Sequence, residues 1–382
     1  MSEKESKAIA FLTKNTDENT VVSFSGGKDS LVALDLASRV GVKNVVFCDT
    51  SIEFQETIDY VRMIADVYGF NLNIVKAPCD FFELIAKITA PSKIQRWCCD
   101  VLKFGPLASW AYKNGVSSFI TGLRNEESKS RESYLDIDKN PLVRVRQINP
   151  VISWTEQEIW DYIQLYNLPV NPLYEKFRRV GCWCCPFKTS SDWRVTRQNY
   201  PEKMEILYSA LEALSNRLGI KQKEEFVYNQ GWTHWIHSTR KVTAGVNVLC
   251  RNGDSSDIVI TQSDENQIER IVRILPVLVN DFRRIGNRLR ISVPNNQRKR
   301  LEILIERALN CIGCGACLIY CKENALLLDA GSIAVNSDLC NHCHSCLYTG
   351  TIKGSCIARH YMPKRSALIK IRSSYDIQQE TA

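Results

Sequence analysis

Val21-Val-Ser-Phe-Ser-Gly-Gly-Lys-Asp-Ser30 passes from an apolar, β-branched run through two glycines into Asp29-Ser-Leu-Val-Ala-Leu-Asp-Leu-Ala37, which has helical spacing. That is a strand, a tight turn and a helix. Such a turn gathers unpaired backbone N–H groups at the positive end of a helix dipole, and Gly26 and Gly27 let an anion reach the backbone with no Cβ in the way. It is a cradle for phosphate or sulfate, to which Lys28 adds a point charge and Ser25 and Ser30 add hydroxyls. The spacing is neither that of the Walker loop nor that of the G-x-G-x-x-G fingerprint.

The elements around this turn alternate. Residues 1–19 read as an amphipathic helix whose Ile9, Ala10, Phe11 and Leu12 pack on the sheet. A second apolar strand, Asn44-Val-Val-Phe-Cys-Asp-Thr50, delivers Asp49 and Thr50 to its carboxyl end. A helix from Ile52 to about Tyr68, a strand at Leu72–Val75 and, at Phe119-Ile-Thr-Gly-Leu-Arg124, a strand followed by a loop come next. Alternation of this kind gives a parallel sheet with ligands at the carboxyl ends of its strands. Thr155 and Glu158 have the spacing of a capping box at the start of a later helix.

Sixteen cysteines in 382 residues set the chemistry apart. Twelve fall in C-C, C-x-x-C or C-x3-C groupings, which suit clusters in a reducing compartment better than a disulfide framework, so the chain is expected in the cytoplasm. No apolar run is long enough for a bilayer, and Met1–Lys7 is too polar for a signal peptide. The formal charge of +7 counts every thiol as neutral. Three [4Fe–4S] sites of about −2 each would bring it to roughly +1, so the total gives no argument for nucleic acid.

The first cysteine group lies in Gln95-Arg-Trp-Cys-Cys-Asp100, the second in Gly181-Cys-Trp-Cys-Cys-Pro186. Adjacent cysteines make poor disulfide partners but both reach one cluster; zinc held by the same thiolates is the alternative. Near the other end, Cys311-Ile-Gly-Cys-Gly-Ala-Cys-Leu-Ile-Tyr-Cys321 is C-x2-C-x2-C-x3-C, and Cys340-Asn-His-Cys-His-Ser-Cys346 with Cys356 repeats it. This is a bacterial-type two-cluster ferredoxin pattern, in which the fourth cysteine of each run serves the other cluster. The expected sets are Cys311, Cys314, Cys317 and Cys356, and Cys340, Cys343, Cys346 and Cys321. Lys322 stands where the pattern has proline, and the stretch to Cys356 is long. Between the cysteine groups, Pro201–Leu218 reads as a helix, Val242–Cys250 and Ile258–Thr261 as strands, Asp264–Val279 as a helix, Arg288–Val293 as a strand and Gln297–Leu309 as a helix. His234 and His237 sit in a segment read as packed aromatics.

The glycine turn resembles the PP-loop of the adenine-nucleotide α-hydrolase superfamily. Asp49-Thr-Ser-Ile-Glu-Phe-Gln-Glu-Thr57 is similar to the D-T-G-x-x-F-x-E-T signature of the phosphoadenylyl- and adenylyl-sulfate (PAPS/APS) reductase family, with Ser51 in the glycine's place. Gly122-Leu-Arg-Asn-Glu-Glu-Ser-Lys-Ser-Arg131 resembles that family's G-L-R-x-x-E-S-x-x-R segment, Asn167–Tyr174 its turn before the second cysteine group, and C-C followed after 83 positions by C-x-x-C its cluster pattern. The resemblance covers roughly residues 18–200.

It implies that Ser25, Gly26, Gly27, Lys28, Asp29 and Ser30, with Asp49, Thr50 and Gly122, bind an adenine nucleotide (PAPS, APS or ATP), and that Cys98, Cys99, Cys182 and Cys185 hold one cluster. Lys103, Arg124 and Arg131 would neutralise a sulfonate that leaves as sulfite. The family's thiol-dependent members finish in Glu-Cys-Gly-x-His, whereas no cysteine follows Cys356 here. The ferredoxin part is therefore expected to supply electrons, itself fed by an external low-potential donor such as a ferredoxin, and Cys184 is the best-placed spare thiol should a nucleophile be needed. The alternative is an ATP-dependent sulfurtransferase that adenylates a tRNA or DNA target, the one case with a nucleic-acid partner; an electron carrier with a vestigial nucleotide fold is a third reading. The expected class is α/β: a parallel-sheet PP-loop domain over 1–200, a helical segment plus a small α+β module over 201–300, an α+β ferredoxin-like domain over 301–360 and a tail over 361–382, with no membrane partner and room for a homo-oligomer.

Overall fold

Apolar side chains gather into two cores, one within Met1–Trp235 and one within Ile236–Ala382. The structure, a computed structural model, describes residues 2–127, 131–140, 143–235, 246–252, 255–261, 264–279, 281–315, 317–348 and 370–371. Ser128, His237, Cys356, residues 242–245 and most of the 361–382 tail lie outside the described residues.

The first unit opens with α1 (Ser2–Asn15), β1 (Thr20–Ser23), α2 (Lys28–Arg39), β2 (Asn44–Asp49), α3 (Gln55–Tyr68) and β3 (Asn71–Lys76). It continues with α4 (Phe81–Lys87), α5 (Trp97–Cys99), α6 (Gly105–Lys113), β4 (Ser118–Ile120), β5 (Ile137–Lys139), β6 (Arg146–Ile148), α7 (Glu156–Leu165), α8 (Ser190–Asn199), α9 (Pro201–Leu218) and α10 (Lys223–Val227). The sheet order is β3-β2-β1-β4-β6-β5, parallel except for β5. Val21, Val22, Val45, Val46, Phe119 and Ile120 are buried, as strands covered on both faces require. The strand order reverses at β1, with β2 on one side and β4 on the other, which opens a crevice at the carboxyl ends of β1 and β4.

In α1, Ala8 and Leu12 are buried and Ile9 and Phe11 pack against the core, but Ala10 faces outward because 100° steps carry it to the far side. α7 begins with the expected capping box: Glu158 N–H donates to Thr155 Oγ1 at 3.2 Å and Thr155 N–H to Glu158 Oε2 at 2.8 Å. α9 buries Leu207, Leu211 and Leu214, an i, i+4, i+7 stripe, and packs on α4 and α8. It therefore belongs to the first unit, and the boundary expected at 200 falls after Trp235.

The second unit contains β7 (Val246–Asn252), β8 (Ser255–Thr261), α11 (Glu265–Val272), β9 (Phe282–Ile285), β10 (Arg288–Pro294), α12 (Arg298–Leu309), β11 (Leu326–Asp329), β12 (Ser332–Val335), α13 (Ser345–Tyr348) and β13 (Lys370–Ile371). Its sheet runs β13-β7-β8-β10-β9, and β11 and β12 form a separate hairpin. The helix expected over Asp264–Val279 stops at Val272 and gives way to a 3₁₀ turn over Leu275–Val277. Pro276 is the reason: it has no N–H for the ladder, and its ring clashes with the carbonyl four residues back. Ile258, Leu289 and Ile291 share one core with Leu304, Ile305, Cys317, Leu318, Ile333 and Cys346, so no core boundary falls at 300.

Candidate nucleotide and thiol site

Gly26 turns the chain out of β1 with φ +76°, and a Cβ there would lie 2.9 Å from Thr57 Cγ2. Only glycine satisfies both conditions. α2 then starts at Lys28 without a side-chain cap from Gly27. The hydroxyl of Tyr174 accepts the Lys28 N–H at 2.8 Å instead, and Asn171 Nδ2 donates to the Gly26 carbonyl at 3.1 Å and to Thr57 Oγ1 at 3.2 Å. Ser25 Oγ and Ser30 Oγ are 3.0 Å apart. Lys28 Nζ is buried and lies 3.0 Å from Asp29 and 3.5 Å from Glu156.

The loop after β4 closes the other wall. A Cβ on Gly122 would stand 2.5 Å from the Asp29 carbonyl oxygen, so strand end and helix start touch backbone to backbone. Arg124, 3% exposed, donates from Nε to Asp29 at 2.5 Å and from Nη1 to Glu126 at 2.7 Å and the Trp154 carbonyl at 3.3 Å. It braces the turn rather than standing free in the crevice. Arg131 pairs with Glu127, which also lies 3.7 Å from Arg179. Burial lowers the Arg131 pKa, and the positive charges of Arg179 and Arg96 act in the same direction, while Asp29 opposes them. Arg131 and Arg179 thus share one carboxylate, Glu127, and Arg131 feels the charge of Arg96 as well, so positive charge gathers beside the glycine turn.

Arg96 leads from there to sulfur. Its Nη2 donates to Cys99 Sγ at 3.6 Å. A hydrogen bond from the Cys98 thiol, with Arg96 and Lys103 adding positive charge, brings the Cys99 thiol down to about 6. Cys98 is pushed up by its hydrogen bond to Cys99 and by burial, and it feels Cys182 and Cys185 as well. The four thiols expected to share a ligand, Cys98, Cys99, Cys182 and Cys185, are therefore near enough to feel one another's charge. The backbone that presents the first two widens into a π-turn over Asp100–Phe104, the turn that carries Lys103, before continuing as α6. Such bulges recur at functional sites.

Thr50 stands 3.6 Å from Cys182 Sγ and donates to Glu53 at 2.6 Å, while Trp183 N–H donates to the Ile52 carbonyl at 3.0 Å. The loop after β2 thus ties the second cysteine group to the sheet. Asp49 accepts the Ser51 N–H at 2.8 Å and lies 3.3 Å from Lys76. Ser51 adopts φ 64° where glycine was expected, and its hydroxyl accepts the Phe81 N–H at 3.2 Å. Burial pushes the Cys184 thiol well up, and the residue is 0% exposed. It is held as a thiol inside the protein, not presented as a nucleophile. The sequence reading assigned no role to Tyr174, Asn171, Arg179, Arg96 or Glu53, although Asn171, Tyr174 and Glu53 lie in the quoted motifs and Arg96 and Arg179 each lie within three positions of a cysteine group.

In the second unit the two cysteine runs repeat in backbone as well as in sequence. Gly313 and Gly315 have φ 74° and 75°, and their counterparts His342 and His344 have φ 54° and 58°. Gly313 N–H donates to Cys311 Sγ at 3.4 Å, Ile333 N–H to the same sulfur at 3.2 Å, and Ala325 N–H to Cys321 Sγ at 3.2 Å. Cys321, Cys340, Cys343 and Cys346 line one small pocket, with His344 beside them. Backbone N–H groups aimed at sulfur, and four thiols round a space, form a donor set that fits a cluster. Among the described residues, no three His, Cys, Asp or Glu side chains converge closely enough to hold a single metal ion. Nor does any described helix have the length and apolarity to cross a membrane.

Residues 19–188 match the phosphoadenosine phosphosulfate reductase domain. An uncharacterised protein of Methanocaldococcus jannaschii is 36% identical over 195 residues, 50% of this chain and 47% of its own length. The adenosine 5′-phosphosulfate reductase of Staphylococcus saprophyticus is 32% identical over 196 residues, 49% of this chain and 80% of its own. The chain spans about half the length of the two M. jannaschii proteins it matches, 47% of one and 50% of the other. Among solved structures, a phosphoadenylyl-sulfate reductase from Candida auris in a phosphate complex is 24% identical with a TM-score of 0.40, covering 47% of this chain and 89% of that one.

Proposed function

Because the chain belongs to the phosphoadenosine phosphosulfate reductase family, we propose that it is an oxidoreductase that reduces adenylyl sulfate, with or without a 3′-phosphate, to sulfite and the adenosine nucleotide. What carries this reading is the cluster of Arg96, Arg131 and Arg179 between the glycine turn and the Cys98, Cys99, Cys182 and Cys185 thiols. A substrate with a phosphate at one end and a sulfonate at the other suits such a site: an anion cradle, then a patch of positive charge, then sulfur ligands.

The turn's N–H groups and Lys28 bind the phosphate, with Gly122 letting the two loops close on it. Arg131 and Lys103 face the sulfonate, and Arg124 keeps Asp29 and the helix start in place. The bond between sulfur and the bridging oxygen breaks, the nucleotide keeps that oxygen, and two electrons end on the SO₃ group as sulfite. Fixed positive charge stabilises both products as negative charge develops on each. Cys98, Cys99, Cys182 and Cys185, and the two sets in the second unit, would hold [4Fe–4S] clusters, which supply one-electron transfer from an external low-potential donor.

The test is anaerobic assay of sulfite from both adenylyl sulfates with a low-potential reductant. Sulfite without ATP consumption is expected, and Lys28→Ala should weaken nucleotide binding by at least about tenfold, the scale of a charge-assisted phosphate contact. Pyrophosphate or AMP released from ATP only when a nucleic acid is added would point to the sulfurtransferase reading instead.

A further inference from the structure

Residues 281–300 hold seven basic side chains and one acidic, Asp281, and so account for six of the chain's seven net positive charges. Six of the seven are arginine. The remainder of the chain is nearly neutral, so this is a local feature and not a bias of composition.

β9 and β10 set the charge on one side of the sheet. Leu289, Ile291 and Val293 are buried in the core of the second unit, so the alternate residues Arg288, Arg290 and Ser292 turn to the opposite face, where they are exposed. Arg283 lies directly across from Arg290 in register, and exposed Ile285 directly across from Arg288. Arg284, on the other side, is held by Glu269 at 2.9 Å. The exposed amides Asn295 and Asn296 follow at the end of β10.

We propose that the outer face of the β9–β10 hairpin binds the phosphate backbone of a single-stranded or looped RNA. Guanidinium forks match phosphate oxygens two at a time and stack on bases, which is why arginine, not lysine, dominates such surfaces. An anionic membrane is the poorer fit, since among the face's side chains named above only Ile285 offers a large apolar group to insert. An acidic electron carrier is poorer too, because the cysteine-lined pocket packs with the core on the inner side of this sheet. The proposal does not depend on the sulfur chemistry.

The test uses the full chain and a fluorescein-labelled single-stranded RNA of about 20 nucleotides, followed by anisotropy across salt concentrations. Arg283→Gln/Arg288→Gln/Arg290→Gln should weaken binding at least about tenfold near 0.1 M salt and flatten the slope of log K against log salt by about 2, because each phosphate contact on a single strand contributes about 0.7. Arg284→Gln should change affinity less than about twofold, as a side chain on the other face. Sulfite release and the melting temperature of the triple variant should stay at the parent's values, which separates this result from failure of the reductase reading. RNA binding that survives the triple change overturns the proposal. So does a parent chain that ignores RNA but binds phosphatidylserine vesicles, or a triple variant whose only defect is slower electron delivery from an acidic carrier.

Discussion

Tyr174 is the residue whose role is least expected from its surroundings in the sequence. Its hydroxyl takes the Lys28 N–H at 2.8 Å, the first free donor of α2 and the group an incoming phosphate needs. Burial pushes that hydroxyl up to about 12, so it stays protonated and neutral at any working pH. A phosphate must displace it. Tyr174→Phe should therefore tighten adenosine nucleotide binding by about fivefold while lowering the stability of the nucleotide-free chain by about 1 kcal/mol, the net worth of one neutral hydrogen bond. Calorimetric titration with AMP beside thermal melting reads both; weaker binding would mean that the hydroxyl contacts the ligand. Ser51 shows the reverse case. Its departure from glycine was visible in the sequence, but the compensation was not, since the Phe81 N–H that its hydroxyl accepts lies thirty positions away. Cys184 looked like a spare nucleophile for the same reason: spacing shows which thiols are neighbours and says nothing about how deeply each is buried.

At the level of elements, the strands and helices around the glycine turn were legible because their apolar periods are strong and both faces of the sheet are covered. Pro201–Leu218 and the Thr155 capping box were legible for equally local reasons: a proline at the first turn, a Thr-x-x-Glu spacing. α11 was read too long because its apolar stripe runs on past Pro276, and the proline overrules the stripe. The hairpin partner β9 was missed, since three of its four residues are exposed and carry no alternation. What no period reveals is how two distant elements meet. Gly122 joins the end of β4 to the start of α2, with room for neither a methyl group nor a shift, as the opposing atoms are backbone. Gly122→Ala should cost about 2–3 kcal/mol of stability through overpacking. It should also weaken nucleotide binding more than tenfold, since the crevice between the two loops is forced open. Denaturant melts with and without nucleotide measure the two effects; a loss below about 0.5 kcal/mol would show that the loops do not touch in solution.

Across the whole molecule, two units each carry grouped cysteines, and the proposed chemistry requires the twelve assigned ones to take the same kind of ligand. The repeat in the second unit argues for this beyond spacing. His342 and His344 hold the left-handed backbone that glycines hold in the first copy, so both copies make the same turn between their cysteines. Three [4Fe–4S] clusters would give about twelve irons per chain after anaerobic reconstitution. Cys340→Ser/Cys343→Ser removes two of the four thiols lining one pocket and should leave about eight, with the loss confined to that cluster. Nucleotide affinity should stay within about twofold of the parent, because every residue assigned to the anion turn belongs to the first unit. Sulfite release driven by a low-potential donor should stop, since removing one relay interrupts electron delivery without touching the acceptor. Zinc in place of iron at parent occupancy would remove the basis for electron transfer, and undiminished sulfite release by the double variant would place the entry of electrons elsewhere.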